Sequence, residues 1–270
     1  METTRSQRWR ERRALWARDL TVIDPNAYAV DVIDHRVARA FIAQHHYLPS
    51  YPAARIAVGL FGTNAILEGV AVFAVPATDA VITRHTGFSD PGSGCVLARL
   101  ILTDSVPQNG ESFFVARAFR HLRRERPAIE AVVSYSDPGA GHIGRVYCAL
   151  SAAHRAVTRP RSVLRASGMT ISGRTLSKIR LGEPGHAGAI EQLVALGVPK
   201  PRPLEPLATW LWRLERERHL VRHQQAGLYA YCFELTREAR RRGRALPRLP
   251  YPKALPVAQP ALPLFSPLET

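Results

Sequence analysis

An aspartate stands in the run Ser134-Tyr135-Ser136-Asp137-Pro138-Gly139-Ala140-Gly141-His142-Ile143-Gly144. The apolar stretch before it, residues 129–135, reads as a buried strand. Asp137 therefore falls at a strand's carboxyl end, the edge of an α/β sheet where ligands bind. A carboxylate there is a candidate proton acceptor, and it equally suits a cap for the helix that follows. Tyr147 comes ten residues later on the first turns of that helix, a phenol that could transfer a proton or fill the core. His46 and Tyr47 lie in a loop that Pro49 and Pro52 hold extended. Loops fixed by a rigid scaffold often carry function, although a structural histidine reads equally well. A fourth group, Gln108, Asn109, Gly110, Glu111 and Ser112, opens a helix after a strand. Free N–H groups and the positive dipole end at a helix start can hold a pyrophosphate, and Gly110 would let it approach the backbone. Glu111 suits a helix start but repels phosphate, so a plain strand–helix turn remains open.

The elements that must position these residues follow from periodicity. Residues 31–44 read as a helix with Ile33, Val37 and Phe41 on one face. Residues 55–61 and 66–75 read as a hairpin turning at Gly62-Thr63-Asn64. A Gly- and Ser-rich loop leads to a strand at 95–103, and a helix runs from Ser112 to the stop at Pro127. After strand 129–135, Ile143, Val146, Tyr147 and Leu150 mark a helix over 142–154. Strand, helix, strand, helix in this order predicts an α/β fold, a mixed central sheet flanked by helices. Residues 155–184 read as further short strands, 185–197 and part of 204–222 as helices, and 227–235 as a late strand. Residues 1–20 pattern as a short basic amphipathic helix on Trp9, Trp16 and Leu20. The expected organisation is a basic arm or helix at 1–30, one domain at 31–253 and a proline-rich, disordered tail at 254–270.

Lys and Arg total 37 against 22 acidic residues, a formal charge of +15. An unmatched excess of arginine makes a positive field, and a polyanion is its commonest target. Arg237, Arg240, Arg241, Arg242, Arg244 and Arg248 form the densest basic cluster and are the expected nucleic-acid contacts. Cys95, Cys148 and Cys232 have no zinc spacing and read as small buried residues rather than a disulfide framework. No apolar run reaches membrane-spanning length, and the N-terminus lacks the apolar core of a signal peptide. The cytoplasm is the expected compartment.

Residues 99–150, the His45-His46-Tyr47 triplet, the strand 227–235 and the terminal RLPYPK of 248–253 closely resemble, in the same order, the Mom family of phage DNA-modification proteins. The resemblance covers about residues 35–253 and is weaker over 155–226. It implies a fold related to the GNAT acetyltransferases and a transferase acting on double-stranded DNA. The implied reaction is carbamoylmethylation of adenine N6, which protects phage DNA from restriction, in the cytoplasm of an infected or lysogenic bacterium. The family's catalytic positions fall on His46, Tyr47, Asp137 and Tyr147, and its cofactor region on Pro107 to Ser112. The loop PQNGES departs from the regular glycine-rich loop of ordinary acetyltransferases, which puts coenzyme A binding in question.

Adenine N6 is a poor nucleophile because its lone pair is delocalised into the ring, so the reaction needs an activated thioester, such as a coenzyme A thioester, or a metal. Imidazole, carboxylate and phenolate donors suit iron, which makes His46, Asp137 and Tyr147 a candidate iron set. Without metal, Asp137 would accept the N6 proton and Tyr147 would protonate a leaving thiolate. The target base must also leave the stack. Two alternatives remain at this stage: an N-acetyltransferase acting on a protein or small amine, and an inactive basic DNA-binding protein.

Overall fold

The computed structural model describes residues 22–255 other than Tyr47 and Pro49. The expected helix over 1–20, Tyr47 and nearly all of the proline-rich tail lie outside the described residues. In chain order the elements are β1 (Ala29–Ile33), α1 (His35–His45), β2 (Ala54–Phe61), β3 (Leu67–Ala74), α2 (Ala80–Thr86), β4 (Gly94–Leu102), α3 (Gly110–Glu125), β5 (Ala131–Ser136), α4 (Arg145–Ala149), β6 (Ala153–Val157), β7 (Arg161–Ala166), β8 (Met169–Ile171), α5 (Gly173–Leu181), α6 (His186–Ala195), α7 (Leu207–Arg216), β9 (Val221–Gln225), β10 (Tyr229–Glu234) and α8 (Arg237–Gly243). Residues 159–227 form one compact unit; the described residues on either side of it, up to Thr158 and from Leu228, form the other.

The larger unit is built on a seven-stranded sheet in the order β1-β2-β3-β4-β5-β10-β6. Its pairs are antiparallel except β4–β5, which run parallel with α3 as the crossover. This is the expected mixed α/β sheet with flanking helices. The β4–β5 pairing runs from Gly94 opposite Ala131 only as far as Leu97 opposite Ser134. Both strands continue, to Leu102 and Ser136, without further mutual pairing, so the sheet opens between their carboxyl ends.

Each face of the sheet has its own apolar layer. On one, Phe114, Val115, Ala118 and Leu122 of α3 are fully buried in a cluster with Leu60, Phe73 and Phe233. Each large side chain so buried contributes about 1.5–3 kcal/mol. On the other, Ala38, Phe41 and Ile42 of α1 pack with Ala57, Val70, Val72 and Ile101. Asp34 starts α1 by accepting the Arg36 N–H at 2.6 Å, satisfying one of the helix's orphan donors. Beneath α8, Arg155 on β6 is buried against the Glu234 carboxylate and also donates to the Pro247 carbonyl at 3.1 Å.

The smaller unit has an antiparallel sheet in the order β8-β7-β9 and the helices α5, α6 and α7. Leu164, Ile179, Leu193, Trp210 and Leu214 make its separate core. Arg213 is held by Glu205 at 2.7 and 2.8 Å.

Several elements differ from the sequence reading. Residues 29–33 are a strand, so Ile33 does not share the α1 face, and Val37 is exposed. The helix expected over 142–154 spans only Arg145–Ala149. Ser151 then takes a φ of +59°, and residues 153–157 pair with β10 as an edge strand. Within 155–184 a helix, α5, stands beside the short strands. Helices α2 and α8 had no counterpart in the sequence reading.

Candidate active site

The opening between β4 and β5 is a cavity of about 200 Å³. His46, Glu111, Asp137, His142, Arg145 and Tyr147 are among its polar and titratable lining, with Leu97, Leu100 and Leu102 of β4 among the apolar residues. The structure thus brings together three of the four expected catalytic residues.

Asp137 directly follows β5 and is half-buried. Its carboxylate accepts the Gly139 N–H at 2.8 Å, and its carbonyl accepts the N–H groups of Ala140 and His142 at 3.0 and 2.9 Å. The capping role and the place on the cavity wall are held by the same residue. The short turn delivers His142 to the cavity beside it. Tyr147 likewise packs in the core and reaches the cavity. Its ring packs edge-on against Tyr231 and Phe233, with centroids 5.3 and 5.6 Å away, and it lines the cavity. Burial raises the Tyr147 phenol above its ordinary value, opposed by the neighbouring Ser134 hydroxyl, so the group stays protonated at neutral pH.

His46 ends α1, its N–H bonded to the Ile42 carbonyl at 2.9 Å. Burial first, then the charges of Arg99 and His142, push its imidazole down to about 3, so the ring is neutral at physiological pH. Its Nδ1 accepts the Leu48 N–H at 2.9 Å, which leaves the ring proton on Nε2. A neutral His46 in that tautomer is a hydrogen-bond donor rather than a base. Arg99 on β4 pins the far side of the same loop, donating from Nε and Nη2 to the Ser50 carbonyl at 3.2 and 2.8 Å.

Gly144 closes the wall. It adopts a φ of +78°, and a Cβ there would sit 2.5 Å from the Tyr231 ring. The Tyr231 hydroxyl in turn donates to the Ile143 carbonyl, tying the glycine turn to β10. Only glycine meets both demands.

Of the expected cofactor residues, Glu111 alone faces the cavity. Asn109 takes a left-handed φ of +65° before α3, and the Gly110 N–H is spent on the Pro107 carbonyl at 3.2 Å. The Gln108 carbonyl accepts the Ile23 N–H at 3.0 Å, and the Ser112 hydroxyl donates to the Asn109 carbonyl at 3.0 Å. Among the described residues no group of three or more His, Cys, Asp or Glu side chains is placed to hold a metal ion. The expected iron set has two such residues and a phenol, which line the cavity.

The six cluster arginines are all exposed, on or just after α8. Arg241 and Arg242 share the Glu238 carboxylate at 2.7 and 2.6 Å, and Arg242 also covers the Phe88 ring. Because β10 is antiparallel to β5, with Tyr229 opposite Ser136 and Glu234 opposite Ala131, α8 begins at the end of the sheet remote from Asp137. The basic residues at the cavity itself, Arg145 and His142, were missed from sequence. The glycine turn around His142 was the available signal. Cys95, Cys148 and Cys232 are free thiols, and Cys95 and Cys232 are buried as expected. Among the described residues no helix is long and apolar enough to cross a membrane.

Residues 27–195, more than half of the chain, match the Mom protein family. No curated protein matches the chain. Similar solved structures include a spermidine/spermine N-acetyltransferase from Vibrio cholerae in complex with manganese ions, at 5% identity and a TM-score of 0.41, covering 80% of this chain and 98% of that one. An acetyltransferase from Bacillus subtilis in complex with CoA is 7% identical with a TM-score of 0.37, covering 77% and 99%. A GNAT family acetyltransferase from Elizabethkingia anophelis with acetyl-CoA bound is 9% identical with a TM-score of 0.33, covering 78% and 99%.

Proposed function

Since the chain belongs to the Mom protein family, we propose that it is a transferase that modifies adenine N6 in double-stranded DNA by carbamoylmethylation and so protects phage DNA from restriction. The observation that carries this reading is that His46, Asp137 and Tyr147, all inside the matched segment, line one cavity where β4 and β5 part. A space of about 200 Å³ admits a single heterocyclic base and not a duplex, which fits a base turned out of the stack.

Each residue has a task its surroundings support. Asp137 accepts the proton released from N6 as the new bond forms. Tyr147, kept protonated by burial, donates a proton to the leaving group. His46, neutral with its proton on Nε2, donates a hydrogen bond to oxygen or nitrogen without adding charge. The donor carries its leaving group on the methylene carbon of the carbamoylmethyl group: the N6–CH2 bond forms as that bond breaks, whereas attack on the carbonyl of a coenzyme A thioester gives an N6-acyl product. With its Nδ1 taken by the Leu48 N–H and its proton on Nε2, His46 offers a metal no free nitrogen lone pair, and Tyr147 is a phenol rather than a phenolate, so the three residues as they stand do not fit iron. Dependence on an added coenzyme A thioester with an N6-acyl product shows acyl transfer by the same acid–base pair instead, and iron in active protein that is lost in Asp137→Ala and His46→Ala overturns the metal-free reading. An acetyl group on an amine, with no need for DNA, is the outcome that supports an N-acetyltransferase instead. The direct test is restriction protection: plasmid recovered from cells expressing the chain resists adenine-sensitive nucleases, and full cleavage despite abundant folded protein refutes the reading.

A further inference from the structure

At the end of the sheet away from Asp137 lies a second concavity, of about 680 Å³. Its floor is apolar: Phe119 of α3 and Phe233 of β10, with ring centroids 4.8 Å apart, and Leu150. Its rim carries three exposed guanidiniums, Arg120 and Arg123 from one face of α3 and Arg240 from α8. Among the described residues none of the three is in an ion pair or hydrogen bond. The one carboxylate in the wall, Glu234, is engaged by the buried Arg155. Three like charges converging on one hollow repel one another unless an anion lies between them.

We propose that this hollow is a second phosphate site, which holds the backbone of the duplex whose target base enters the cavity at the other end of the sheet. The proposal rests on the DNA reading above. Duplex DNA is favoured over a small phosphate ligand because the hollow is open and Arg237, Arg241 and Arg244 continue the exposed positive surface along α8. The six residues of β5 separate the two places by roughly 20 Å. At about 3.4 Å per base pair, the phosphates held here lie about six base pairs from the modified adenine.

The test is fluorescence anisotropy with a labelled 24-base-pair duplex, comparing the full chain with Arg120→Gln/Arg123→Gln across a salt titration. Both positions are exposed on a helix, so the variant keeps its melting temperature, which is measured alongside. The expected result is affinity about tenfold weaker at low salt, and a log–log salt slope smaller by about 1.8, from two contacts at about 0.9 each. Unchanged affinity and slope, with wild-type protein still binding DNA steeply, overturns this site and leaves the DNA reading standing. No DNA binding by wild-type protein overturns both. Pyrophosphate or ADP binding that the variant loses, with duplex binding intact, shows a small phosphate ligand and overturns the duplex as occupant.

Discussion

Replacing Gly144 with alanine tests whether the cavity wall is built as described. Two penalties apply. A φ of +78° places an L-residue in the left-handed region, at a cost of about 1–2 kcal/mol. The added Cβ would meet the Tyr231 ring atoms at 2.5 to 2.8 Å, and Tyr231 is fully buried and tied to the Ile143 carbonyl, so it cannot swing away. Forcing a methyl group into a packed site of this kind costs about 1–3 kcal/mol more. The single variant should therefore lose about 2–5 kcal/mol. In a Tyr231→Leu background the clash is gone, and the same substitution should cost only the backbone part, about 1–2 kcal/mol. Urea unfolding of the four proteins of this cycle measures the coupling. Ile143 and Gly144 line the cavity, so activity should fall in the single variant too. An equal loss in both backgrounds, or a loss below about 1 kcal/mol in the first, refutes the packing argument.

Glu234→Gln leaves the buried Arg155 guanidinium without its carboxylate and should cost about 3–5 kcal/mol in denaturant unfolding. Burial pushes the Cys95 and Cys232 thiols from an ordinary 9.0 up to about 12. The folded state therefore keeps protons that the unfolded chain releases, and stability should be full below pH 9.0 and decline as pH rises toward 12. In native protein at pH 8, a thiol reagent should label the half-exposed Cys148 well before the two buried cysteines. Arg99→Met removes the bonds that fix Ser50 and should lower activity about tenfold or more. Its melting temperature should change little, because Leu48 and Ser50 of that loop are exposed.

The central strands and the long helix were legible because burial on both faces writes itself as apolar runs, and Pro127 ends α3 in plain sight. The Asp137 turn was legible because a strand end, an Asp-Pro pair and three glycines stand together. What failed depends on distant partners. Strand β1 alternates weakly and owes its state to five register pairs with β2. The sequence after Ala149 keeps a helical apolar spacing, yet pairing with β10 outcompetes it. Helix α8 reads as a charge cluster because its buried residues are only Ala239 and Gly243. His46 and Asp137 could be named separately, but their shared cavity depends on how far β4 and β5 stay paired, which no local pattern encodes.

The most direct test of the proposed activity is mass spectrometry of nucleosides digested from the DNA of cells expressing this chain. Wild-type protein should give a deoxyadenosine heavier by one carbamoylmethyl substituent. Asp137→Ala, folded and still bound to DNA, should give only ordinary deoxyadenosine. Unmodified nucleosides from cells holding abundant folded wild-type protein, or equal modification by Asp137→Ala, would contradict the account.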